Sequence, residues 1–154
     1  MLPKISTASK VVELQKIMYT MPQLDLEEHT KEYLFGGMYM RMLFRPAGCI
    51  IVGRTHKKEH FYMVWSGTVE IATEQGPVQY TGPCVVEAQP GSKRAVHAVT
   101  DAYAGFVVRT DKTVIDEELQ KELIEEEEYV RYDAHNRIMP LVIEETKVEM
   151  IGEE

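Results

Sequence analysis

The feature that most constrains the fold of this chain is a series of short apolar runs between residues 33 and 110. Met38, Met40 and Met42 alternate with other residues, which is the two-residue period of a strand. Further runs follow, separated by turn residues such as Pro46-Ala47-Gly48 and Ser66-Gly67; they cover 49–52, 61–65, 68–72, 78–80, 84–86, 95–99 and 104–108. About eight short strands at this spacing predict one mostly β domain, an antiparallel sandwich or barrel, over 33–110.

Helical periods flank this β region on both sides. Apolar residues that share one face after Ser6 or Thr7 predict a short helix through about Tyr19, within an N-terminal helix and arm over 1–32. Thr113 and Asp116 form a capping-box pattern before a narrow apolar stripe, which predicts an amphipathic helix near 114–127. We expect the stripe to cover the outer face of the sheet or a second subunit.

The remaining C-terminal residues complete an acidic segment over 111–154. Within this segment, Leu141-Val142-Ile143 is read as a short added strand or a loosely held tail. The charge is uneven, because residues 1–110 hold 12 basic and 10 acidic side chains, whereas 111–154 hold 5 basic and 15 acidic ones. The acidic segment is therefore a candidate contact for a protein partner, although runs of one charge are usually solvated faces.

Charge and composition exclude several classes of function. A net charge of −8 argues against a nucleic-acid partner, because phosphate contacts need clustered Lys and Arg. Two cysteines make no disulfide framework, and the sequence has neither a secretion signal nor an apolar stretch long enough for a membrane span. We therefore expect a cytoplasmic protein without a membrane partner.

Histidines in the β region are candidate metal ligands. Residues separated by an even number share a strand face, so Arg54, His56, His60 and Tyr62 could point to one side, and an antiparallel roll could bring His97 opposite. Three neutral imidazoles at a barrel mouth suit a divalent transition metal such as Fe, Mn, Ni, Cu or Zn. The alternative is a polar mouth that holds no metal.

The segment from Gly48 to Gly67 resembles the first motif of the cupin superfamily, G-x5-H-x-H-x3-E-x6-G, with every spacing kept. The segment Pro90-Gly91-Ser-Lys-Arg-Ala-Val-His97 resembles the second motif more loosely. This resemblance implies a jelly-roll fold over about 33–110, with His56, His60 and His97 as the metal set. In local sequence the chain most resembles small uncharacterised cupin-like proteins of tailed bacteriophages. This resemblance implies expression in an infected bacterial cell.

Two ligand positions depart from the cupin pattern. Arg54 stands where the family has its first histidine, and His60 replaces the glutamate. A guanidinium group donates no electron pair and would repel a divalent cation at close range. The sequence therefore leaves open whether a metal binds.

Positive charge gathers in both motifs, which indicates an anionic ligand. Arg54 and Arg94 offer planar forks for carboxylate or phosphate, and Lys58 and Lys93 offer point charges. Tyr62 is a candidate proton donor should the site be catalytic. An exposed turn without a ligand is the alternative for the lysines.

Three functions fit these residues. The first is a cupin-like small-molecule-binding protein whose barrel mouth takes a small anion, with or without a three-histidine metal. The second is a metal-dependent cupin oxygenase or isomerase, and the third is a non-catalytic phage structural or host-interaction protein. Because cupin-like domains are often dimers and the methionine face is apolar, we also expect a homodimer.

Overall fold

The computed structural model describes residues 13, 14, 17, 28–73, 75–126, 131–132, 138–139, 141–143 and 148–150. Between residues 30 and 109 it contains nine strands. They are β1 (Thr30–Phe35), β2 (Met38–Arg45), β3 (Ile50–Val52), β4 (His60–Ser66), β5 (Thr68–Thr73), β6 (Gly76–Thr81), β7 (Cys84–Ala88), β8 (Ala95–Ala98) and β9 (Ala102–Arg109). The apolar runs in the sequence thus correspond to strands whose ends differ by no more than three residues.

The strands form two antiparallel sheets with jelly-roll topology. One sheet has the order β1-β2-β9-β4-β7 and the other has the order β3-β8-β5-β6. From β2 to β5 and from β6 to β9 the strands cross repeatedly between the sheets, as in two interlocked Greek keys. The predicted mostly β, antiparallel jelly roll is confirmed, but the described strands form two separate sheets and not a closed barrel.

The hydrophobic core lies between the two sheets. Tyr62 and Val64 of β4 meet Val69 and Ile71 of β5 and Val96 of β8, all nearly inaccessible to solvent. Strand alternation explains this arrangement, because every second side chain of a strand points to the same face. The opposite side chains of β4, including Phe61 and Trp65, lie on the outer face of the five-stranded sheet and are about half exposed.

One helix, α1 (Glu117–Leu123), covers part of the inner face. Asp116 caps its N-terminus by accepting a hydrogen bond from the Leu119 backbone N–H at 3.0 Å. Leu119 and Leu123 pack against Tyr39 of β2 and Val108 of β9. The stripe was predicted to cover the outer face or a second subunit, and that prediction is wrong because Tyr39 and Val108 point inward. The helix is also shorter than the predicted span of 114–127.

The flanking regions are described only in part. Residues 13, 14 and 17, within the predicted N-terminal helix, are helical. Four short strands pair two by two near the C-terminus: β10 (Arg131–Tyr132) with β11 (Ile138–Met139), and β12 (Leu141–Ile143) with β13 (Val148–Met150). Within the described residues, no helix has the length and apolar character needed to cross a membrane.

Candidate functional site: a cationic interior

The two motif segments lie side by side at one end of the roll. The Gly53 backbone N–H donates to Arg94 O at 3.0 Å, and the His56 N–H donates to Ser92 O at 3.0 Å. Gly91, whose φ of +87° favours glycine, donates its N–H to His56 O at 2.7 Å. These backbone bonds turn the side chains of residues 54, 56 and 94 into the space between the sheets, where each is buried.

Arg94 lies against two imidazoles. Its Nη2 donates to His60 Nε2 at 3.0 Å and lies 3.4 Å from His56 Nε2. The two rings stack with centroids 4.0 Å apart. His60 Nδ1 lies 2.9 Å from Lys58 O, so the proton belongs on Nδ1 and Nε2 accepts from the arginine. The guanidinium carbon also lies 4.4 Å above the centre of the Tyr62 ring.

Burial and the neighbouring cation keep both histidines neutral. Desolvation, with the charge of Arg94 second, lowers the pKa of His60 to about 4. The same two causes hold the pKa of His56 well below its usual value. Desolvation also lowers the pKa of Arg94, to about 10, so this side chain stays charged at pH 7. The arrangement is one cation held by two neutral acceptors.

His97 does not join this pair. It lies on β8 next to the inward-facing Val96 and therefore points to the outer face of the four-stranded sheet. There its Nδ1 lies 3.0 Å from Glu70 Oε1, and the side chain is 40% exposed. The expected convergence of His56, His60 and His97 is therefore wrong, because strand alternation places the third imidazole on the opposite face.

The donor set does not fit a metal centre. Both inward imidazoles direct Nε2 to a guanidinium group, which carries a positive charge and donates no electron pair. In the described part of the chain no three His, Cys, Asp or Glu side chains gather as potential ligands. Arg94 thus lies where a metal held by these two histidines would have to bind.

The interior is rich in cations. Ten polar or charged side chains are buried in the described residues, and none of them is Asp or Glu. Five are basic: Arg41, Arg45, Arg54, Lys93 and Arg94. Arg41 is matched by Glu32, at 3.5 Å from Nη1 to Oε1, and Arg54 donates to the backbone O of Glu125. Burial of this much like charge is costly unless negative groups compensate it.

Several buried donors lack a hydrogen-bond acceptor within the described structure. They include Arg45 Nε and Nη1, Arg94 Nη1 and the hydroxyl groups of Tyr62 and Ser92. After burial, the positive charge of Arg45 adds to the lowering of the pKa of Arg94. Buried donors are normally satisfied, so a set of this kind indicates a ligand or ordered water.

The structure places the four predicted ligand-binding residues differently. Arg94 and Lys93 are buried in the interior, with Lys93 at 0% exposure. Arg54 is also buried, and its Nη2 donates to the backbone O of Glu125 at 2.8 Å. Lys58 is directed elsewhere, because its ammonium group contacts Glu122 Oε2 at 3.1 Å and the backbone O of Arg109 at 3.2 Å.

Arg45, like Arg41, is an interior cation that sequence reasoning missed. It shares a β2 face with Tyr39, Arg41 and Leu43, and the alternation with the methionines could have revealed that face. The methionines were assigned the apolar role instead. In the structure Met38 is 51% exposed on the outer face, so the inward face of β2 carries the arginines.

Helix α1 and the residues after it close this end of the roll. Lys57 donates its backbone N–H to Leu123 O at 2.8 Å, and Glu125 donates its N–H to Thr55 O at 2.9 Å. His56 and Ile124 form an isolated antiparallel bridge between these contacts. The 54–58 segment is thereby held against 121–125, and the cationic interior is separated from solvent at this end.

Solved structures that match this chain are consistently cupin-domain proteins. A cupin-2 domain protein from Shewanella frigidimarina is 10% identical over 66% of this chain and 97% of that chain, with a TM-score of 0.45. An RmlC-like cupin protein from Desulfovibrio desulfuricans is 17% identical, over 58% and 96%, with a TM-score of 0.45. KdgF from Halomonas sp. is 13% identical, over 60% and 91%, with a TM-score of 0.47. No family model and no curated protein matches the chain.

The jelly roll itself is established by the strand order of the two sheets and not by these scores. Identities of 10 to 17% indicate no ligand and no reaction for this chain. The similarity to phage-encoded proteins stays a prediction.

Proposed function

We propose that this protein binds a small anion, such as a carboxylate or a phosphate, inside the jelly roll. Arg94 and Arg45 are its main contacts, and Tyr62 is a further hydrogen-bond donor. The observation that carries the proposal is the set of buried donors without acceptors on these three side chains. An anion would accept from the groups that the described chain leaves without a partner and would compensate the buried positive charge.

The two histidines prepare Arg94 for this role. They accept from Nη2 and leave Nη1 of the same guanidinium group for a ligand. Stacking over the Tyr62 ring restrains the guanidinium plane from a second direction. A donor that is already oriented loses little conformational freedom when the ligand binds.

A metal-dependent oxygenase or isomerase is the less favoured function. It would need His97 beside His56 and His60, and it would need the guanidinium group of Arg94 to be absent from the space between them. The positions of Arg94 and His97 both oppose this chemistry. Tyr62, the candidate catalytic residue, is buried under the guanidinium group and is here assigned a hydrogen bond to the anion.

Thermal unfolding with added anions tests the proposal. The protein is heated with phosphate, sulfate or malonate, and with sodium chloride at the same ionic strength. A specific anion at 100 times its Kd should add about 2.7 kcal/mol to the free energy of unfolding. Chloride at equal ionic strength should not reproduce this stabilisation.

Two arginine variants supply the matched comparison. Arg94→Met removes the buried guanidinium group, whereas Arg109→Met removes one that is 68% exposed and pairs with Glu59 at the surface. We expect Arg94→Met to abolish the anion-dependent shift and Arg109→Met to keep it. Equal shifts in all three proteins, or a shift with chloride alone, would refute the proposal.

A further inference from the structure

Gln120 is the one polar side chain that helix α1 buries. It is 6% exposed and shares the buried side of the helix with Leu119 and Leu123. Its Nε2 has no hydrogen-bond acceptor within the described residues. Burial of an amide donor without an acceptor is costly, and a leucine at this position would avoid that cost. The amide therefore indicates a partner that the described part of the chain does not supply.

The buried side of α1 adjoins the histidine pair. Ile124, at the end of the helix, donates its backbone N–H to Gln120 O at 2.9 Å, so the two residues are one turn apart on the same side. Ile124 also forms the isolated bridge with His56. Phe106 packs against the apolar cluster of α1, and its ring centroid lies 4.6 Å from that of His56. Gln120 thus lies next to the cationic interior.

The attachment of α1 to the roll permits local opening. The helix has seven residues, which is too short for an isolated helix to be stable, so its packing on the roll decides whether it forms. Its end meets the 54–58 segment at an isolated bridge and not through a continuous ladder such as the one between β4 and β9. A partly exposed ion pair between Lys58 and Glu122, at 3.1 Å, adds to this bridge. Elements attached in this way can open while the sheets stay folded.

A ligand of the interior would favour the closed position of α1. Arg94 and His56 are 5% exposed and Tyr62 is 2% exposed, so an anion reaches them only when part of the wall moves. An anion inside can accept a hydrogen bond from Gln120 only while α1 is closed. This contact gives the closed form the higher affinity, which is the condition for a ligand to shift the equilibrium toward closure.

We propose that α1 is the lid of the anion site and that Gln120 is the ligand contact on this lid. The inference rests on the function proposed above, because an anion in the interior must accept from Nε2. The anion enters and leaves when the 121–125 segment separates from the 54–58 segment. Lys58, which the sequence indicated as a ligand contact, instead fastens the lid through Glu122.

Hydrogen–deuterium exchange of the full chain with added inorganic phosphate measures the coupling. At 100 times the Kd of phosphate, the backbone amides of 119–125 should exchange about 100-fold more slowly, because α1 opens only after the anion leaves. Amides of β6, an edge strand of the other sheet, should keep their rates. Equal protection of both segments would overturn the lid, and no protection in any segment would overturn the anion site with it.

A disulfide across the bridge tests the route of entry. Glu125 donates its backbone N–H to Thr55 O at 2.9 Å, so these two positions are neighbours on the facing segments. In Thr55→Cys/Glu125→Cys, oxidation should slow the association and dissociation of phosphate about 10-fold or more, as phosphorus NMR measures, and reduction should restore both rates. Equal rates in the oxidised and reduced forms would overturn the lid and leave the anion site intact.

Gln120→Leu tests the ligand contact. The variant without phosphate should be at least as stable as the original protein, because an unsatisfied group is gone, whereas its Kd for phosphate should rise about 10-fold. Gln79→Leu is the matched control, since Gln79 Nε2 donates to Glu70 Oε2 at 3.2 Å on the outer face of the other sheet. An unchanged Kd in Gln120→Leu, beside lost binding in Arg94→Met, would overturn the role of Gln120 and keep the anion site.

Discussion

The two faces of the five-stranded sheet reverse the usual distribution of polarity, because charged side chains are buried on one face and apolar side chains are exposed on the other. The inner face buries Arg45 and, across the roll, Arg94, whereas the outer face exposes Phe35, Phe61 and other apolar side chains. Charged side chains are rarely buried without a partner, and large apolar patches are rarely left to solvent. Within the described residues, the inner face thus holds buried donors without acceptors, and the outer face holds large apolar side chains without cover.

The largest expected effect comes from uncovering the inner face. Leu123 of α1 is 2% exposed against Tyr39 and Val108. Leu123→Ala should therefore lower the free energy of unfolding by about 2–5 kcal/mol, through lost burial and the cavity left behind. Urea unfolding measures the change, and Val114→Ala on the surface should stay within about 0.5 kcal/mol. Equal losses in both variants would show that α1 does not close the interior.

The second-largest expected effect is a loss of protein stability in acid, caused by the buried histidines. Unfolded histidine has a pKa of about 6.5, whereas burial lowers the pKa of His60 to about 4 and that of His56 also well below its usual value. Between these values the unfolded chain binds protons that the folded chain does not. Stability should therefore fall as the pH drops from about 6.5 to 4, by up to about 1.4 kcal/mol per pH unit for each histidine.

Unfolding by urea at several pH values measures this slope. His60→Gln removes one titrating group and should make the slope shallower, whereas His29→Gln, at a half-buried site beside Phe44, serves as the control. An unchanged slope in His60→Gln would show that His60 is not held neutral by its surroundings.

A smaller effect should follow from Tyr62→Phe. The hydroxyl group is buried without a hydrogen-bond partner in the described part of the chain, so its removal relieves a desolvation cost. We expect the variant without added anion to be as stable as the original protein, or more stable by up to about 1 kcal/mol. The same variant should bind the anion several-fold more weakly, as measured by titration calorimetry.

The opposite result for Tyr62→Phe would be informative as well. A loss of more than about 1 kcal/mol of stability with unchanged anion binding would assign the hydroxyl group to the core and not to the ligand site.

The smallest expected effect is that of divalent metals on the protein. Because His97 faces outward and Arg94 lies between the inward imidazoles, added Fe, Mn, Ni, Cu or Zn should not raise the unfolding temperature. Plasma mass spectrometry of protein purified without a metal-binding tag should find no metal near one equivalent per chain. Stoichiometric metal that disappears in His56→Ala would contradict this expectation and restore the metal-dependent alternative.

The sequence predicts the fold well because the strand signals are local. Alternation in β2 and short apolar runs between Pro-Gly turns depend only on neighbouring residues, and strands form close to where they are predicted. The burial of Arg54, His56, His60 and Tyr62 also follows from residue spacing. These side chains share one face although the backbone before β4 is not a regular strand, because backbone hydrogen bonds to Arg94 and Ser92 hold that segment in place.

The site was predicted less well because it depends on distant contacts. An antiparallel roll was expected to bring His97 opposite the other two histidines, but only the register of β8 shows that Val96 takes the inward position. The contact of Lys58 with Glu122 depends on where α1 packs, which no local pattern specifies. The ligand role of Arg94 stays a prediction, and its position between two imidazoles appears only in three dimensions.

Anomalous diffraction tests most directly whether the interior of the roll is an anion site built around Arg94. Crystals of the protein would be grown with selenate, a tetrahedral anion that scatters anomalously. We predict an anomalous peak between the two sheets, with an oxygen of the anion within about 3 Å of Arg94 Nη1 and close to Arg45. Peaks found only on the surface, or a metal ion between His56 and His60, would contradict it.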